Sequence, residues 1–155
     1  MDLYLTVKTL HILSSTILLG TGIGIAFFMF RSYFATNSHQ KLYAAKTTVL
    51  ADYLFTLPAV VIQPISGIWL VINGGYNWVD LWLISTVIIY AFVGLCWIPV
   101  VWIQIQLKQI LIKSLEMNTP LPLQYNHLFK IWMMLGIPAF IGLVAIFFLM
   151  VMKPL

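Results

Sequence analysis

The chain has 155 residues, of which 62% are hydrophobic and only 8% charged, with a mean hydropathy of +1.01. A soluble domain carries roughly a quarter charged residues, so this composition excludes one and points to an integral membrane protein in a lipid bilayer. The net charge of +4 does not imply nucleic acid, because the basic residues fall at the ends of apolar runs.

The length predicts one domain, residues 1–155, with room for about four spans of roughly 20 residues each. The first span covers about residues 3–30. Asp2 stands where a signal peptide would be basic, and the apolar run is too long for one, so the helix is expected to be retained. Within it, Lys8 and His11 precede a small-residue series, Gly20, Gly22, Gly24 and Ala26, which would allow a neighbouring helix to approach closely.

After Arg31 comes the polar stretch SYFATNSHQK, then a second span over about 49–72. Asp52, Thr56, Gln63 and Gly67 recur along it at helical spacing, a stripe that marks either the bundle interior or a proton or substrate path. Asp52 is placed at the inner boundary, within reach of Arg31 or Lys46. NGGYNW is a turn, and the third span follows over about 81–105. Its continuation QIQLKQILIKSLE keeps an apolar face and predicts a helical extension, as does HQKLYAAKTTVLADY before the second span. NTPLP breaks the chain, with Pro122 suited to an early helical position, before a fourth span over about 131–152. Pro58, Pro64, Pro99 and Pro138 are expected to kink their helices.

Arg31, Lys41, Lys46, Lys108, Lys113 and Lys130 flank the first and third loops, whereas the second loop has neither Lys nor Arg. The positive-inside rule then predicts an all-α bundle of four transmembrane helices with both termini on the outer, periplasmic side. Helices 2 and 3 would extend into the cytoplasm, and the location would be a bacterial inner membrane. The chain could associate as a homo-oligomer or with other membrane subunits. Cys96 is the only cysteine, so no internal disulfide and no thiolate cluster can form.

His11 lies about 12 Å below the outer end of its helix and needs a partner there. A hydroxyl or carbonyl on another helix, a wet cavity, or an iron such as that of haem b would each serve. Lys8, one turn earlier, can snorkel outward or meet an acidic group such as a haem propionate. His39 and His127 lie across the bilayer and cannot complete a bis-histidine site with it. No nucleophile elbow, P-loop or HExxH motif is present.

KTLHIL, GTGIGIAFFMFR, LADYLFTLPAVVIQPISGIWLV, CWIPVVWIQIQL, IWMMLGIPAF and the closing MKPL resemble, in order, a family of predicted bacterial four-helix membrane proteins of unknown function. More distantly, Lys8, Leu10, His11, Arg31, Pro58, Gly67, Lys153 and Pro154 are similar to the outline of HemJ-type protoporphyrinogen oxidases. That likeness implies His11 as a metal ligand to haem b; in such a site Lys8 or Arg31 would serve an acidic group of the cofactor and Gln63 would face it. It also implies, for an enzyme, oxidation of a porphyrinogen or quinol. HemJ-type proteins carry a further histidine on the third helix, where this chain has Tyr90 and Trp97. Two other readings stay open: a non-enzymatic membrane partner or assembly subunit, and a small transporter using the Asp52–Gln63 stripe.

Overall fold

The computed structural model describes residues 2–154, and every regular element in it is helical. Helix α1 covers Leu3–Tyr33, opened by Asp2, whose side chain accepts from the Tyr4 N–H at 3.0 Å. Helix α2, Ser38–Ala51, starts the same way from Asn37. It runs through a wide turn, Asp52–Thr56, directly into α3, Leu57–Asn73. Helix α4 covers Leu81–Glu116 and α5 Leu123–Met152.

Four helices, counting α2–α3 as one, are long and apolar enough to cross a membrane. The expected extensions are present: Ser38–Asn73 and Leu81–Glu116 each hold 36 residues, about 54 Å against a hydrocarbon core of about 30 Å. The fourth span starts earlier than the apolar run suggested, at Leu123, and Pro122 caps it rather than entering it. In the NGGYNW turn only Gly75 takes a positive φ, +68°. Leu155, the last residue of MKPL, lies outside the described residues.

The helices associate as two pairs, α1 with α3 and α4 with α5. Gly142 sets the second pair's spacing: a Cβ there would lie 2.6 Å from Val93 Cγ2. The expected close packing at Gly20, Gly22 and Gly24 is not used within this chain, since a Cβ at any of them meets nothing within 4 Å. The pairs are bolted together at the basic end. There α2 packs on both α1 and α4, around a core that includes Met29, Ala45, Leu107, Leu111, Tyr125 and Phe129. Toward the termini α3 has little close backbone approach to α4 or α5, and side chains bridge the pairs instead, Val71 of α3 packing with Trp82 and Leu83 of α4 beside Met150 of α5.

The prolines act less as kinks than as openings in the backbone ladder. Pro58 has no N–H for the Leu54 carbonyl, and its ring would crowd that carbonyl in a regular turn. The chain widens just before it, so that the Leu57 N–H reaches back five residues to the Asp52 carbonyl. Pro64 likewise leaves the Val60 carbonyl without its helical donor, and the Tyr90 hydroxyl of α4 supplies one at 2.7 Å. That bond joins the two helix pairs across the gap. Pro99 and Pro138 sit inside unbroken helices.

At the termini end, Lys153 donates to the Tyr76 hydroxyl at 2.8 Å and lies over the Tyr76 and Trp82 rings. This bond holds the Tyr76 phenol below the usual tyrosine range, with the nearby Lys8 charge acting in the same direction.

Candidate functional site

Two polar clusters lie within the spans. The first is built around His11. Its Nδ1 is 2.8 Å from Ser66 Oγ on α3, and Gly67 admits the ring so closely that a Cβ would lie 3.3 Å from His11 Cε1. The single Ser66 hydroxyl proton goes to the Ile62 carbonyl at 2.6 Å. With that proton so placed, Ser66 accepts from His11 in the tautomer protonated at Nδ1, which would leave the Nε2 lone pair open. Gln63 Nε2 donates to the His11 carbonyl at 2.7 Å and to Ser14 Oγ at 2.5 Å, and Ser14 Oγ donates to that same carbonyl. Ser14 turns inward, whereas Ser15 bonds back to the Ile12 carbonyl.

Of the residues predicted around His11, Gln63 is brought to it. Lys8 and Arg31 are exposed, Arg31 in the last turn of α1 about 30 Å along the helix from His11. The donor chemistry of His11 fits a single axial ligand whose other nitrogen is held by a hydroxyl. The large cavity of the bundle does not reach it, and among the described residues no group of three metal-ligating side chains forms.

The second cluster is built around Asp52, on the wide turn. The carboxyl is only 2% exposed, and Thr56, Trp97 and Gln104 are the polar groups facing it. No hydrogen bond of proper geometry forms at either carboxyl oxygen, at Thr56 Oγ1, Trp97 Nε1 or Gln104 Oε1, nor at Trp132 Nε1 nearby. The expected pairing of Asp52 with Arg31 or Lys46 is thus not made; both cations are exposed, while the carboxyl points into the bundle.

All these groups line one cavity of about 430 Å³ between the helix pairs. Its remaining wall is apolar, supplied by side chains such as Leu18, Ile25, Val93 and Leu143. Gly22, Gly94 and Gly136 create its room, since a Cβ on any of them would enter open space. The cavity is partly open, and its lining includes the exposed side chains Phe27 and Ile137 on α1 and α5, which approach each other only sparsely. A polar end sunk in a hydrocarbon chamber can hold an amphiphile by its head. Asp52 was legible in the helix 2 stripe. Trp97, Gln104 and Trp132 were not, because each is an isolated polar group in a long apolar run.

Residues 5–154 match the model of the family described as "Predicted integral membrane protein (DUF2269)", and the chain belongs to that family. No curated protein and no solved structure matches it.

Proposed function

We propose that this membrane protein binds a lipid-soluble molecule in the chamber between its helix pairs, with the polar head of that molecule at Asp52. One observation carries the reading: a buried carboxyl with a hydroxyl, an indole and an amide beside it, none in a well-formed hydrogen bond, lies on the wall of an apolar cavity that a second unpaired indole, Trp132, also lines. Unpaired buried polar groups cost on the order of 1–3 kcal/mol each, so a set of them on one cavity wall is expected where a ligand completes their bonding. By the distribution of Lys and Arg, the Asp52 end faces the cytoplasm and the termini face outward, as in a bacterial inner membrane.

Binding is favoured over passage. The Gln63 amide is taken up by the His11 carbonyl and Ser14, so the helix 2 stripe divides between two clusters and does not line one route. The test is photolabelling in proteoliposomes with an apolar diazirine. Label on cavity residues, lost in Gly136→Leu, is the expected result. Label confined to lipid-facing positions such as Ile88 and Phe148 would refute the reading.

Haem b at His11, in a redox protein of HemJ-like architecture, is a second reading, favoured by the open Nε2 of a ring fixed through Nδ1. Haem would supply one-electron chemistry, while His11 would ligate and Ser66 would orient the ring. A Soret band lost in His11→Ala would support it. A colourless protein after expression with added haem would end it.

A further inference from the structure

We infer that the molecule held in the chamber is an uncharged amphiphile with a hydroxyl head, such as a long-chain isoprenoid alcohol or a hydroquinone, and that it enters sideways from the membrane between α1 and α5. The inference rests on the chamber being a ligand site, as proposed above, and adds the ligand's chemistry and its route.

The head is specified by what the polar end leaves unmet. Asp52 offers two carboxyl oxygens and Gln104 one amide oxygen, while Trp97 and Trp132 offer only N–H donors. Asp52, Gln104 and Trp132 are each more than nine-tenths buried, so their bonds must be made inside the chamber. An ammonium head donates but cannot accept, and would leave the Trp132 indole unpaired and compete with Trp97 for the carboxyl. A phosphate would place its charge against the carboxyl, and an ether accepts but cannot donate. A hydroxyl does both with one atom, and fits the carboxyl whether or not that group is ionised. No lysine or arginine lines the chamber to recognise an anion.

The body is specified by the remaining walls, which are hydrocarbon over the full 430 Å³. The route follows from the small residues. Gly22 and Ala26 on α1 and Gly136 and Ala139 on α5 all lie on the chamber wall, where a Cβ at either glycine meets nothing within 4 Å, between helices that approach each other only sparsely. Phe27 and Ile137, both exposed, stand at this gap. A ligand dissolved in the bilayer can pass here without meeting water.

The test uses the full chain in lipid nanodiscs and four probes that share one tail: farnesol, farnesyl methyl ether, farnesylamine and farnesyl phosphate. Binding is followed by the fluorescence of the cavity tryptophans. Farnesol should bind about tenfold tighter than each of the others, the worth of roughly one well-made hydrogen bond. Asp52→Leu should erase that preference while leaving the weak binding of the ether, and Gly136→Leu should abolish binding of all four. Equal or tighter binding of the amine, phosphate or ether overturns the hydroxyl assignment alone, as does a preference that survives Asp52→Leu. Failure of all four probes, or binding indifferent to Gly136→Leu, overturns both the assignment and the chamber as a ligand site.

Discussion

The His11 and Asp52 clusters share the continuous α2–α3 segment, Gln63 of the first lying about 16 Å along its axis from Asp52 of the second, and differ in one respect. Around His11 the main polar contacts are closed within the protein: imidazole to Ser66, Ser66 to Ile62, Gln63 to Ser14 and the His11 carbonyl. Around Asp52 they are open. Both sets of residues look alike in a sequence, as polar side chains at helical spacing in an apolar run. The difference lies in what the neighbouring helix offers. Helix α3 lies close along α1, and Gly67 lets the ring in. At Asp52 the wide turn and the splayed pairs leave a chamber instead. A closed cluster holds helices together, and an open one is free to hold something else.

Stability measurements can break this comparison. Ser66→Ala leaves the His11 Nδ1–H without its acceptor and should destabilise the fold by about 1–3 kcal/mol, read from unfolding in mixed micelles. The parallel change Thr56→Val in the open cluster removes a hydroxyl that has no partner, and should cost nothing or stabilise. Similar losses from the two substitutions would erase the distinction. Tyr90→Phe should cost about 1 kcal/mol by orphaning the Val60 carbonyl that Pro64 leaves free, and should loosen the pairs against each other. A neutral Tyr90→Phe would mean that the gap is not bridged there.

Gly94→Leu gives a smaller effect of opposite sign. Its Cβ meets nothing, so the side chain should fill chamber space without loss of melting temperature and exclude apolar labels. The smallest effect is at the termini end. Tyr76 should ionise below the ordinary tyrosine range in an alkaline absorbance titration, and Lys153→Met should return it toward that range. The contribution of this contact to stability is full above the unfolded-state phenol pKa and is lost as pH falls through the lowered folded-state value.

Much of the architecture could be read from the apolar runs. Four spans, the NGGYNW turn and helical continuations past the second loop-facing run and the third span all correspond to structure, because length and hydropathy alone decide whether a segment crosses lipid. Gln63 was expected beside a cofactor at His11; its amide instead bonds the His11 backbone carbonyl. The wide turn was not foreseeable, although Pro58 six residues after Asp52 was its cause. Nor could the run of α4 announce that Trp97 and Gln104 face Asp52, since that depends on how the second helix docks against α4. The small residues Gly20 and Gly24 signalled a packing seam that this chain does not close on itself.

The wide turn at Asp52–Thr56 also fixes a rotational phase. It takes up one residue more than a regular turn, so the side chains beyond it are offset by about 100° from where an uninterrupted helix would place them. Removing a single residue from Tyr53–Phe55 would restore an ordinary helix and swing Asp52 by that angle relative to Gln63. The chain would keep its length to within one residue and its hydropathy unchanged in kind, yet the carboxyl and the imidazole could no longer both face the interior. Substitutions in this stretch should therefore be tolerated far better than deletions.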